Sequence, residues 1–348
     1  MSTHATEGRR IATLRRRRRP RMSKLPRPRL PRRDKDLLRD EEIVPWSTLD
    51  KLGLAAAWFC GLLLIAISAS IVLYMLIRGL QYVKLDAITQ HPIVLSTTES
   101  TGTSGGYLDP ILGTLLLTAL GTLIALPIGV ATAVWLSEYG RPSWLARMVE
   151  SGVEIVAGTP TVVLAIFGLL IFSKGIFGFL SFTAEGGAVF GRSFFIAGIM
   201  MSAIAIPLIV GATREALQSI PAHVREASYA LGKDKISTIR RVLLPASRKG
   251  IATGTTLGMG RIAGDTAIVI LLLGGTLTLE QQGGTPILGT LRGTGSTLTS
   301  YVYANSPAGE GNAQEKAYAA AFLLLMIVIG MNFVVDLFSR QRSDPWAR

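Results

Sequence analysis

The sequence predicts an all-α fold, a polytopic membrane bundle of about six transmembrane helices, and three observations carry that prediction. Of the 348 residues, 49% are hydrophobic and only 17% are charged, where an ordinary soluble domain has about 25% charged residues. The apolar residues gather into uncharged runs of membrane-spanning length. The charges lie mostly between those runs, which is how a chain divides itself between lipid and water. No internal repeat or heptad pattern competes with this reading. One Cys in the whole chain excludes a disulfide framework and a thiolate metal site. Cys60 falls inside an apolar run, where packing is its expected role.

The elements follow in chain order. Residues 1–51 hold 16 of the 36 Lys and Arg, with five consecutive arginines from Arg15 to Arg19 and prolines at 20, 26, 28 and 31. Such a stretch has no core to bury and reads as a disordered basic cytoplasmic arm. Placed directly before a membrane span, it is expected to fix orientation and touch anionic lipid rather than bind nucleic acid. A cleaved signal peptide is not expected, because the first apolar run starts only near Leu52 and is too long for a signal segment.

A bilayer core of about 30 Å takes about 20 helical residues at a rise of about 1.5 Å each. Six runs meet that length: Leu52–Ile77, Ile111–Leu136, Ile155–Ser173, Ser193–Thr213, Ile251–Leu273 and Ala317–Val335. Together they define a membrane domain over residues 52–338, followed by a cytoplasmic tail over 339–348. Only the fifth run carries charge, Arg261 and Asp265, four residues apart and therefore on one face of a continuous helix. Gly254 with Gly258, and Gly260 with Gly264, are two small-residue pairs on the same helix suited to close contact.

With the arginine-rich arm placed in the cytoplasm, the inside segments 137–154, 214–250 and 336–348 hold 13 Lys and Arg, against 6 in the outside loops 78–110, 174–192 and 274–316. The positive-inside rule therefore predicts both termini in the cytoplasm. Residues 96–106 and 274–312, rich in Ser, Thr and Gly, read as flexible connections. The inside segment 214–250 differs, with helix-forming composition up to Leu231, a break at Gly232, and Ile236, Ile239, Val242 and Leu243 at helical intervals until Pro245 stops the pattern.

The residues of that segment carry a resemblance. Glu226-Ala227-Ser228, three residues, Gly232, nine residues and then Val242-Leu243-Leu244-Pro245 resembles the EAA loop of ABC importer permeases, with Ser for the third Ala and Val for the usual Ile. The physical logic suits docking to a separate ATPase: an apolar face (Ala227, Ala230, Leu231) for helix-in-groove packing, a sharp turn at Gly232, and a carboxylate at Glu226 for a basic partner group. The resemblance implies a coupling role for Glu226, Ala227, Ser228, Gly232, Val242, Leu244 and Pro245. The chain lacks a phosphate-binding loop of the G-x-x-x-x-G-K-[ST] kind, since Gly232-Lys233 is followed by Asp234 without the upstream glycine, so ATP is expected to be hydrolysed by the partner.

Two further stretches narrow the likeness. Gly158-Thr159-Pro160-Thr161-Val162-Val163 is similar to the Gly-x-Pro-Ser-Val-Val segment of phosphate importer permeases, and Arg261-Ile262-Ala263-Gly264-Asp265-Thr266-Ala267 to their Arg-x-x-Gly-Glu-Thr-Ala segment. Over roughly residues 50–340 the chain looks like the second permease subunit of the phosphate-specific ABC importer. Asp265 departs from the Glu of that pattern, Thr161 from its Ser, and Ile268 from a frequent Pro. The resemblance implies a type I importer permease with no catalytic residues and no cofactor, working by alternating access in a bacterial plasma membrane. It implies a heterodimer with a second, related permease, above a dimeric ABC ATPase, fed by an extracytoplasmic phosphate-binding protein. It also implies a pathway for inorganic phosphate at Arg261, Asp265, Thr266, Thr159 and Thr161, the guanidinium offering forked hydrogen bonds to the anion. The other reading of Arg261 and Asp265 is a salt bridge that only neutralises the pair or ties this helix to the other permease.

Two other function classes stay open on sequence. A permease of the same build carrying another solute, such as a different oxyanion, would differ in its pathway charges and its binding protein. A membrane-embedded enzyme would need nucleophile, base or metal ligands converging at one depth. The histidines at 4, 91 and 223 have no metal-ligand spacing, and Gly102-Thr-Ser-Gly-Gly106 lies in a loop rather than at a strand-to-helix elbow. Tyr301 and Tyr303 read as part of an interfacial aromatic belt.

The charge count makes a direct prediction about topology. Reporters fused after Arg348 and inserted within 96–106 should lie on opposite sides of the membrane, and an accessibility assay that finds both on one side defeats the six-span arrangement.

Overall fold

The computed structural model describes residues 47–83, 88–90, 106–140, 143–181, 191–274, 286–307, 309 and 313–339. The basic arm over 1–46, the stretch 91–105 with most of the Gly102–Gly106 motif, and the tail from 340 lie outside the described residues. Every regular element among the described residues is helical. Two compact units divide at Ile67/Ser68. The described part of the first, residues 47–67, is helical and exposed along its length.

The first helix, α1 (Thr48–Tyr82), opens on a reciprocal cap in which the Ser47 hydroxyl accepts from the Asp50 amide and the Asp50 carboxylate accepts from the Ser47 amide. Its 35 residues span about 50 Å, well beyond the hydrocarbon thickness. There follow α2 (Leu108–Val134), extended by a π-helical turn (Trp135–Tyr139), then α3 (Trp144–Gly158), α4 (Thr161–Phe172) and α5 (Phe194–Gln218). The segment after α5 contains α6 (Ala222–Ala230), α7 (Lys235–Thr238), a second π-helical turn (Ile239–Leu243) and the single turn α8 (Leu244–Ala246). The chain ends with α9 (Arg248–Gly264), α10 (Ala267–Leu273), α11 (Pro286–Arg292), α12 (Leu298–Asn305) and α13 (Gln314–Ser339).

Four stretches, Thr48–Tyr82, Leu108–Tyr139, Phe194–Gln218 and Gln314–Ser339, are each long and apolar enough to cross a membrane. Two more qualify only as bent pairs, α3 with α4 at 106° and α9 with α10 at 59°. The uninterrupted third and fifth runs expected from hydropathy are thus each two helices. Pro160 explains the first break, because it lacks an N–H and forces Thr159 into extended backbone (φ −77°, ψ 130°). Pro127 and Pro207, by contrast, sit inside helices α2 and α5.

The core of the second unit is built where α2, α5 and α9 meet, with α4 and α10 against them. Leu117, Phe194, Ile196, Met201, Ile209, Ile262, Ile268 and Leu272 are buried in one cluster. The hydrophobic effect does not drive helix association within lipid, so close backbone approach has to do so. Gly250, Gly254 and Gly258 supply it along one face of α9. A Cβ on Gly250 would overlap that of Ala216, one on Gly254 would stand 3.0 Å from the Ile209 Cα, and one on Gly258 3.3 Å from the Ala205 Cβ. Of the two small pairs read from sequence, Gly254/Gly258 therefore seals α9 to α5, while around Gly260 and Gly264 the space is open.

The 274–312 region holds two helices, which corrects its reading as a flexible connection. Composition pointed to a loop, but Thr297 caps α12 reciprocally with Ser300, and the Leu298 amide donates to the Thr114 hydroxyl of α2 at 2.9 Å. Tyr301 does not face outward as a residue of an aromatic belt would. It is buried edge-to-face on Tyr107 with ring centroids 5.6 Å apart, and burial pushes both phenols above the ordinary tyrosine range. The two side chains stay neutral at any physiological pH.

The seam makes a stability prediction. Gly250→Ala should lower the thermal midpoint of the purified protein, by a cost of about 1–3 kcal/mol for overpacking. The same change at Gly152, where nothing lies within 4 Å, should leave it unchanged or raised. Equal midpoints for the two variants would show that the α5–α9 approach is not tight.

Candidate functional site

Two places in the fold gather the residues singled out from sequence, the segment between α5 and α9 and the pair of helix breaks. In the first, α6 lies with Val224 and Ser228 buried and with Glu226, Ala227, Ala230 and Leu231 exposed, Leu231 at 80%. Pro221 sets the start of the helix at its first turn. Gly232 has φ +75°, a left-handed backbone that side chains resist, and its amide closes the turn on the Tyr229 carbonyl. The Ser228 hydroxyl, standing where an Ala is usual, is 2.8 Å from the Thr238 hydroxyl and ties α6 to α7.

The second half of the segment faces inward. Ile239 and Leu243 are buried with Leu217, and Leu244 packs against them with Val134 and Ile220. Leu244 is thus an anchor of the loop, while Val242 and Pro245 are half-buried. Pro245 does not stop the helical path as expected. The π-helical turn ahead of it widens the ring so that the Leu244 amide donates to the Ile239 carbonyl five residues back, and the Pro245 ring follows in the single turn α8.

At the second place, Arg261 and Asp265 do not share a helix face, because α9 ends at Gly264 and Asp265 is extended (ψ 128°). Its carboxylate accepts from the Ile268 amide at 2.9 Å and so caps α10, and the Thr299 hydroxyl donates to its backbone carbonyl at 3.3 Å. Asp265 is 8% exposed. Among the described residues no ion pair joins it to Arg261. Arg261 is exposed, as are Leu257 and Gly264 one turn to either side of it on α9.

The two breaks lie around one open cavity of about 530 Å³. Val162 of α4, Thr266 and Ala267 at the start of α10, and Thr299, Tyr303 and Ser306 of the α12 region line it. Of the expected pathway residues Thr266 reaches this lining. Thr161 stands one residue before Val162, and the Thr159 hydroxyl donates back to the Ile155 carbonyl at 2.7 Å, closing the end of α3. Sequence reasoning did not find Thr299, Tyr303 and Ser306. Their signal was the run of hydroxyls from Ser296 to Ser306, in a region whose glycines suggested a loop. Among the described residues no group of three or more His, Cys, Asp or Glu could hold a metal ion.

A family model described as "Binding-protein-dependent transport system inner membrane component" matches residues 125–344, the part that contains α5, the 214–250 segment and both halves of the second broken span. The chain is 29% identical over 289 residues to the "Probable ABC transporter permease protein YqgH" of Bacillus subtilis, covering 82% of this chain and 88% of that one. It is 31% identical over 246 residues to the "Phosphate transport system permease protein PstA 1" of Mycobacterium tuberculosis, covering 70% and 73%. Among solved structures, a bacterial ABC transporter involved in the import of the acidic polysaccharide alginate superposes with a TM-score of 0.54 at 17% identity, over 85% of this chain and 99% of that chain, a likeness of fold. With its outward-facing helix α6, its two broken membrane helices and a family match over residues 125–344, this chain belongs to the binding-protein-dependent transport system inner membrane components, the permease subunits of ABC importers.

Proposed function

We propose that the chain is the second permease subunit of a phosphate importer, passing inorganic phosphate across the bacterial plasma membrane by alternating access. The observation that carries this reading is Arg261, exposed and unpaired with Asp265 on the open face of α9. An Arg near the centre of an isolated membrane helix costs about 2.5–3.5 kcal/mol, so this face belongs against a polar pathway rather than lipid. A planar, permanently charged fork there suits a tetrahedral oxyanion. Thr266 and the hydroxyls of the neighbouring cavity offer further donors, and Thr161 stands at its edge. Thr159 holds the end of α3, so its part in the pathway is to keep the break in place. The 31% likeness to a phosphate permease supports the choice of anion.

In this reading the open face of α9 meets a second, related permease, and the segment 214–250 lies on the cytoplasmic side, where the positive-inside rule puts it. The exposed face of α6 then docks in a groove of a dimeric ABC ATPase, with Glu226 toward a basic group and Ala227, Ala230 and Leu231 as the apolar ridge. Ser228, Gly232, Val242, Leu244 and Pro245 shape that ridge from behind rather than touch the partner. An extracytoplasmic phosphate-binding protein delivers the substrate at the opposite side.

Radiolabelled phosphate uptake by the reconstituted importer tests the pathway. Arg261→Gln should abolish uptake with the complex still assembled, and adding Asp265→Asn should not restore it, because Asp265 serves α10 and not the guanidinium. Normal phosphate transport by the double variant would make Arg261 a structural residue. Uptake of a different oxyanion by the unmodified complex, without phosphate uptake, would overturn the substrate.

The coupling face is tested separately. Glu226→Ala should reduce co-purification of the ATPase, and Gly232→Val should do so by straining a left-handed residue by about 1–2 kcal/mol. Phosphate binding by the isolated binding protein should be untouched. Full ATPase recovery with both variants would remove α6 from the docking surface.

A further inference from the structure

The inner side of α6 carries an arrangement that its docking role does not require. Arg225, next to the exposed Glu226, turns its guanidinium inward to Glu138 in the π-helical turn that ends α2. Its Nε and Nη2 donate to one carboxylate oxygen at 3.1 and 2.9 Å. The same guanidinium donates to the Leu217 carbonyl in the last turn of α5 at 2.9 Å and to the Ile220 carbonyl just past its end at 2.8 Å. Lys235, across the Gly232 turn, donates to the Glu138 backbone carbonyl and sits over the Tyr139 ring, 4.2 Å from its centroid. The Glu138 side chain is only 7% exposed and that of Arg225 21%, so water does little to weaken the pair.

Both arms of the coupling segment thus converge on one residue of a membrane helix 87 positions earlier in the chain. Apolar packing offers α6 no comparable hold, since Val224 is its one buried hydrophobic residue. A helix joined to the body mainly by directional, charge-assisted bonds moves with the group it grips. A π-helical turn, moreover, is a place where a helix end is easily re-registered.

We propose that Glu138, held by Arg225 and Lys235, is the positioning residue through which displacement of α6 is passed to α2. The proposal rests on the coupling reading of α6 given above. A push on the outer face of α6 reaches Glu138 through the Arg225 fork and turns the end of α2. Because α2 packs directly on α5 and α9, that movement reaches the helix bearing Arg261. The Ser228–Thr238 and Lys235 contacts keep α6 and α7 moving as one piece.

The test uses the full complex of both permeases and the ATPase in liposomes with the binding protein, and reads ATP hydrolysed per inorganic phosphate imported. Glu138→Gln and Arg225→Gln should each raise that ratio by about tenfold, the effect of losing one charge-assisted link, with the ATPase still co-purifying. The double variant should be no worse than the worse single, because both remove the same link. Glu138→Asp keeps the charge and withdraws it by one methylene, so it should raise the ratio even where Glu138→Gln fails to assemble. A residue that only stabilises the fold would lower the amount of complex and leave the ratio alone. A ratio within about twofold of the unmodified complex in both Glu138→Asp and Arg225→Gln overturns the proposal. Loss of the coupling reading itself would appear elsewhere, as full ATPase recovery with both Glu226→Ala and Gly232→Val.

Discussion

The close approach of α9 to α5 governs the rest of the molecule. In lipid an apolar side chain gains nothing by leaving its surroundings, so helices associate through dispersion at short range and through polar contacts. Gly250, Gly254 and Gly258 let the α9 backbone lie against Ala216, Ile209 and Ala205, and the register of that seam decides which way every other residue of α9 points. With the glycine face committed to α5, Ile262 falls in the core, and Leu257, Arg261 and Gly264 are left open. The charged residue of the span stands one, two and three turns beyond Gly258, Gly254 and Gly250, past the close approach.

The same seam fixes where the second broken span begins. Where α9 ends at Gly264, Asp265 is held from two sides by the Ile268 amide and the Thr299 hydroxyl of α12. A carboxylate taken up in capping a helix satisfies amides that lipid could not, a requirement far stronger here than in water. Pro160 produces the other break by a different route, through a missing donor and a restricted neighbour. Two unrelated causes give two bent spans around a single cavity, lined mainly by hydroxyls and aliphatic side chains.

At the other end of these helices the polar groups do the joining. The 214–250 segment has a small apolar anchor in Ile239, Leu243 and Leu244, and α6 projects from it with its apolar ridge outward. That division of labour follows from composition: the inward contacts of α6 are Val224, Ser228 and the Arg225 fork, and the outward ones are small or flexible side chains suited to a groove.

Much of this was legible in the chain. The uncharged runs, the basic segments between them, the glycine turn at 232 and the spacing of Glu226 to Pro245 express strictly local properties, namely residue transfer energies, helix propensity and left-handed backbone preference, and these determine the long apolar helices and the outline of the 214–250 segment. The pairing of Arg261 with Asp265 was read from a helix that the structure interrupts, because periodicity assumes continuity and cannot see that a side chain will cap the next helix instead. The helices at 286–292 and 298–305 were hidden by glycine and threonine content, and only contact with Thr114 and Tyr107 orders them. Nor could spacing show that Arg225 meets Glu138, 87 residues away. What the sequence by itself determined is the all-helical class and the long apolar runs that are of a length to cross a membrane. Which face of α9 is open, that Asp265 caps the next helix, and which carboxylate α6 grips were decided by tertiary packing, since each depends on groups that come together only when distant segments dock.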